Sequence, residues 1–172
     1  MSTSREGSFR LRHAVKGCKV VLSIRKVEPH DAGECTDLAA QMHAASKYAY
    51  IPFNRDRVMM FIRFGMDGAT RQGFVAVTED NTIVGFLGMY IETLFFADIK
   101  SAFDIAMFVH PEHRQPAVAS GLVTLATAWA KEQGAQRIVM SVTAPENTQR
   151  VGKLYQRYGF QQCGEYYSKE II

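Results

Sequence analysis

The feature that most restricts the fold lies between residues 103 and 143. An apolar run over 103–109 meets a short loop and then the clearest amphipathic helix pattern of the chain, 116–133. A second apolar run, 137–143, follows almost at once. Within the helix pattern Val118, Leu122, Leu125, Ala126 and Trp129 share one face, Pro116 suits a first helical turn and Gly134 suits a C-terminal cap. A strand, a helix and a strand in that order predict a parallel crossover, with the helix laid on one face of a sheet.

The rest of the chain supplies that sheet. Residues 20–27 alternate as a strand, and 31–45 carry Leu38, Met42 and Ala45 at helical spacing. Asn54 caps a second helix whose apolar residues include Val58, Phe61, Ile62 and Met66. Residues 73–78 and 82–92 read as an antiparallel hairpin, because Glu79-Asp80-Asn81 tolerates turn geometry. A helix over 146–158 should end at Gly159, and Phe160 onward should supply one or two final strands. The expected class is α/β: a mixed, mostly antiparallel central sheet flanked by helices on both faces.

Composition sets the outer limits. At 172 residues, 47% of them hydrophobic, the chain can bury one sizeable core, and no apolar run nears the roughly 20 residues that span a bilayer. Cys18, Cys35 and Cys163 are scattered and odd in number, which points to reduced thiols and a cytoplasmic protein. The first 25 residues hold Arg5, Arg10, Arg12, Lys16, Lys19 and Arg25 against Glu6 alone, so residues 1–19 read as a basic, flexible leader and 20–172 as the domain. An RNA-binding leader would want aromatics among its basic residues, and only Phe9 is present, so nucleic acid is not the expected partner.

Chemistry concentrates in 103–120, FDIAMFVHPEHRQPAVAS. The loop runs into a helix N-terminus, whose unpaired N–H groups and dipole favour an anion, and Ala117, Ala119 and Ser120 are small enough for a phosphate to approach the backbone. His110 and His113 lack a third ligand at convincing spacing and read as loop residues, so no metal is expected. Cys163 has no evident base to make it a nucleophile.

The segment from Val109 to Leu122, V-x-P-x-x-R-Q-P-A-V-A-S-G-L, resembles the acyl-CoA signature of GNAT N-acetyltransferases, V-x-P-x-x-[QR]-x-x-G-x-[GA]. Arg114 matches its first loop position and Ala119 its last, while Ala117 stands where the family has glycine. Downstream, Leu154-Tyr155-Gln156-Arg157-Tyr158-Gly159-Phe160 resembles the family's L-Y-x-x-x-G-F. The resemblance spans residues 20–170 and is closest to small bacterial or phage-borne members. It implies acetyl-CoA as cosubstrate and an amine, on a small molecule or a peptide, as acceptor. Dimers are common in the family, which leaves a homodimer open.

By the same resemblance the backbone at Met107, Phe108 and Val109 pairs with the pantetheine arm. Gln115, Ala117, Val118, Ala119 and Ser120 offer amides to the pyrophosphate, and Arg114 adds charge. Tyr155 is the candidate acid for the leaving thiolate, since a phenol of pKa about 10 can donate to a thiolate whose conjugate acid lies near 8.5. Asp104 and Glu92, on neighbouring strands, are candidates for the base or for attracting a cationic amine, and Asn147 is a candidate cofactor contact. Tyr48, Tyr50, Phe53, Phe61, Phe64, Tyr90, Phe95 and Phe96 could line an apolar acceptor pocket or serve packing alone. The alternative activity is a degenerate member that binds acyl-CoA without turnover, motivated by Pro116 and Ala117 in the loop.

Overall fold

The computed structural model describes residues 9–15, 18–142, 148–165, 167–169 and 171, in two units, one ending at Ser141 and one beginning at Val142. The turn expected at 79–81 is the pivot of the first unit. Asn81 takes φ 69°, the left-handed region that asparagine tolerates, and Thr78 N–H donates to Thr82 O at 3.0 Å. Strands β3 (Arg71–Val77) and β4 (Ile83–Thr93) pair antiparallel on either side.

Outward from this hairpin, β2 (Cys18–Lys26) pairs with β3 and β5 (Lys100–Val109) with β4, both antiparallel. Strand β6 (Arg137–Val139) joins β5 in parallel, the crossover that the helix pattern predicts. Regular structure starts earlier than expected: β1 (Phe9–Val15) pairs antiparallel with β2, so the six strands lie in chain order and part of the expected flexible leader is an edge strand. The reason is in the chain itself, where Phe9, Leu11, His13 and Val15 alternate with Arg10, Arg12 and Ala14 in the period of a strand, beneath the conspicuous charge.

Alternation along β3 separates two cores. Phe74 faces helix α3 (Pro116–Glu132), its ring edge-on to Trp129 at 6.1 Å, and Leu87, Met89, Leu122 and Ala126 are buried too. Trp129 Nε1 donates to Gly68 O at 2.9 Å, which satisfies the one polar atom of the largest buried side chain. Val75 and Val77 turn the other way, into a cluster with Cys35 and Leu38 of helix α1 (Ala32–Ala44) and Ile83, with Ile62 of helix α2 (Arg55–Gly65) against it. Helices therefore cover both faces of the sheet. No helix among the described residues is long and apolar enough to cross a membrane.

Helix α1 is anchored at its start by charge. Arg25 Nη1 and Nη2 donate to the two carboxylate oxygens of Asp31 at 2.6 and 2.9 Å, and Glu28 N–H adds a bond of 2.8 Å. Burial pushes the Asp31 carboxyl up, but these hydrogen bonds outweigh it and hold the group below the ordinary carboxylate range.

The second unit contains helix α4 (Thr148–Arg157), which ends at Gly159 as expected. The expected final strands are absent among the described residues: 160–165, 167–169 and 171 carry no strand. From Gln161 on, the described side chains are exposed, Tyr167 almost completely, so no covered face rewards strand pairing.

Candidate active site

The site begins with a fault in the β4–β5 ladder. Gly88 pairs with Ala106 but Met89 pairs with Asp104, leaving Ile105 as an extra residue on β5. Such a bulge bends its strand and sharpens the local twist. On the other edge of β5 the parallel ladder reaches only from Ser101–Arg137 to Phe103–Val139. The strand expected over 137–143 is thus cut to three residues, and β5 runs on beyond the bulge without β6.

Ladder phase decides what this edge offers. His110 N–H donates to Val84 O at 2.8 Å, so residues in step with it, Phe108 among them, spend their backbone groups on β4. Met107 and Val109 lie out of step and turn their N–H and C=O to the side that β6 leaves open. Of the backbone trio Met107, Phe108 and Val109, the first and last therefore turn outward, and Phe108 faces β4. Arg114 occupies one of the outward groups: its Nε donates to Val109 O at 3.0 Å, with the guanidinium 5.6 Å from the centre of the Phe108 ring.

The loop after β5 delivers fewer amides than expected. Because α3 starts at Pro116, Ala119 and Ser120 already donate within the helical ladder, and only the first four positions are left over. Of these, Gln115 N–H donates to His113 O at 2.7 Å, Val118 N–H donates to Gln115 O at 3.1 Å, and Pro116 has no N–H. Of these four positions, Ala117 keeps an N–H with no backbone acceptor among the described residues. Ala117 is also unstrained, since Asn81 is the only non-glycine described with positive φ. Two polar atoms beside the loop, Gln115 Oε1 and His110 Nδ1, are buried without a partner among the described residues, the mark of groups that a ligand or solvent must answer.

The carboxylates separate. Asp104 pairs with Met89 and so lies on the α3 face, whereas Glu92, in step with Tyr90, lies exposed on the opposite face. The fold does not bring them together. Both oxygens of Asp104 are engaged, accepting from Ser141 N–H and Ser141 Oγ at 2.8 Å each. On the 3-10 turn before Arg114, His110, Glu112 and His113 hold three donor atoms within 4.8 Å of one another, a grouping their sequence spacing did not suggest. Of the aromatic residues, Tyr90 stacks on Phe103 at 5.3 Å, while Tyr50, Phe64, Phe95 and Phe96 are exposed.

In the second unit Tyr155 is buried, and its ring lies 5.4 Å from that of Phe160. Phe160 N–H donates to Tyr155 O at 3.1 Å and Gly159 N–H to Gln156 O at 3.1 Å, with Gly159 at φ 81°. These are the paired bonds and the apolar contact of a Schellman stop, so Y-x-x-x-G-F is also a helix terminator. Asn147 lies outside the described residues.

A family model described as "Acetyltransferase (GNAT) family" matches residues 38–160, well over half the chain. The chain belongs to the GNAT acetyltransferase family. Solved structures agree with the fold of this GNAT protein. Aminoglycoside N-acetyltransferase AAC(6')-Iy in complex with CoA superposes with a TM-score of 0.71 at 20% identity, over 90% of this chain and 99% of that one. A ribosomal-protein-alanine N-acetyltransferase from Brucella melitensis biovar Abortus 2308 gives 0.66 at 18%, over 88% and 98%. A Trypanosoma brucei acetyltransferase gives 0.68 at 15%, over 87% and 99%. At these identities the likeness establishes the fold alone. No curated protein sequence matches the GNAT chain.

Proposed function

We propose that this GNAT protein transfers an acetyl group from acetyl-CoA to a primary amine of a small molecule or peptide, by direct attack within a ternary complex. The observation that carries the reading is the open edge of β5, where Met107 and Val109 turn backbone groups toward a space that β6 does not fill. A pantetheine arm, with its two amides, is suited to pair there as an added strand. The Ala117 amide, the positive end of α3 and the Arg114 charge suit a pyrophosphate.

In the reaction the amine nitrogen forms a bond to the thioester carbonyl carbon and the carbon–sulfur bond breaks. The amine loses a proton and the CoA thiolate gains one, for which Tyr155 is the proposed donor. Rate acceleration comes chiefly from holding the two substrates together and from a β5 amide directed at the developing oxyanion. Aminoglycosides and ribosomal-protein alanine are the first acceptors to screen, because similar structures carry those names.

One observation favours a second reading, an acyl-CoA binder without turnover: the first turn of α3 spends most of its amides internally. Calorimetric titration with acetyl-CoA, and CoA as comparator, separates the cases when coupled to thiol release in an amine screen. Micromolar binding with amine-dependent thiol release supports the enzyme, and binding without release supports the second reading. No binding up to millimolar concentration refutes both.

A further inference from the structure

The parallel ladder between β5 and β6 stops where the bulge begins. Continuing the register of Phe103 with Val139 would set Ser141 opposite Ile105, the same residue that the β4 ladder skips. Ser141 N–H, which an unbroken ladder would point at a β5 carbonyl, is instead taken by the Asp104 side chain at 2.8 Å, and Ser141 Oγ binds the second oxygen at 2.8 Å. A carboxylate is a stronger acceptor than a peptide carbonyl, because its hydrogen bonds are charge-assisted. The two bonds together also fix the direction of the side chain.

We propose that Asp104 is a positioning residue that ends the β5–β6 ladder at Ser141 and so keeps the outward N–H and C=O of Met107 and the outward N–H of Val109 open for the pantetheine arm. The inference rests on the acyl-CoA reading. Without the carboxylate, Ser141 N–H loses its fixed acceptor, the segment after Val139 is no longer held off, and it competes for the edge that the thioester needs. Asp104 acts here through Ser141 and takes no proton from the amine. Its two oxygens are already committed, and Glu92 lies on the other face of the sheet.

The test compares Asp104→Ala, Asp104→Asn and Ser141→Ala in the full chain, with acetyl-CoA affinity, KM against kcat, and amide hydrogen exchange as readouts. Asp104→Ala should weaken acetyl-CoA binding about tenfold, raise its KM in step, and speed exchange at the Ser141 amide about tenfold or more. Asp104→Asn keeps an oxygen for Ser141 N–H and an amide that can donate to Ser141 Oγ, so it should recover most of both losses. Ser141→Ala should fall between wild type and Asp104→Ala, because the backbone bond survives. A large fall in kcat for Asp104→Asn with unchanged acetyl-CoA affinity would identify a general base and overturn the proposal. Unchanged exchange at Ser141 in Asp104→Ala would overturn it as well. If wild type binds no acetyl-CoA, the role in cofactor binding fails with the acyl-CoA reading, while faster exchange in Asp104→Ala would still establish the clamp as a structural element.

Discussion

Replacing Asp31 with alanine should remove a large part of the stability of the first unit. In the folded protein this carboxylate is 4% exposed and accepts from Arg25 Nη1, Arg25 Nη2 and Glu28 N–H. Breaking a buried ion pair on one side costs about 3–5 kcal/mol, mostly through the charge left behind. Arg25 retains 24% side-chain exposure, so its guanidinium recovers some hydration, and we place Asp31→Ala at about 2–3 kcal/mol. Urea unfolding at pH 7, followed by circular dichroism, would measure the loss. Adding Arg25→Ala and the double variant should return a coupling of about 1.5–3 kcal/mol. The pH dependence has a defined sign. Because folding depresses this carboxyl, its contribution is complete above the unfolded pKa of about 3.9 and disappears as pH falls through the lower folded value, so the gap between wild type and Asp31→Ala should close in acid. A loss below about 0.5 kcal/mol at pH 7, typical of surface substitutions, would refute the view that this pair anchors α1 to β2.

Tyr155→Phe should lower turnover by roughly 10²-fold or more with acetyl-CoA affinity unchanged, read by steady-state kinetics and titration; full activity would remove the acid assignment. Ala117→Gly should leave acetyl-CoA affinity unimproved and cost up to about 1 kcal/mol of stability, because the position is helical and unstrained. Burial pushes the Cys35 thiol up to about 12, with Asp31 and Glu34 adding to the shift, so iodoacetamide at pH 8 should label exposed Cys163 and reach Cys35 only after unfolding, as peptide mass spectrometry would report. Gly73→Ala should destabilise by about 1–3 kcal/mol in thermal or urea melts, since the new methyl would meet Val27 Cγ1 at 2.6 Å.

What the residues revealed in advance depended on whether the cause was local. The β3–β4 turn was legible because Asn81 can take the left-handed region itself, and α3 because Pro116, Gly134 and one apolar stripe mark its start, end and face. The bulge at Ile105 was not legible: no glycine or proline marks it on β5 itself, and it exists only as a mismatch between two strands. The engagement of Asp104 with Ser141 is likewise a product of tertiary pairing over a long sequence separation. Strand β1 was hidden by its arginines, and the tail was over-read because tyrosines favour strands only where some surface covers them. The loop between β5 and α3 shows the limit of a motif match, since residues aligned with a family pattern still spend their amides according to where the helix starts.

The stop at the end of α4 separates two duties that one residue would otherwise blur. The ring of Tyr155 packs on Phe160 across Gly159, and that contact needs only an aromatic surface. A descendant that had abandoned acetyl transfer would still be held to an aromatic residue here, and phenylalanine would satisfy it. An aromatic ring at this position therefore reports on folding, and the proposed acid role has to be read from the oxygen separately.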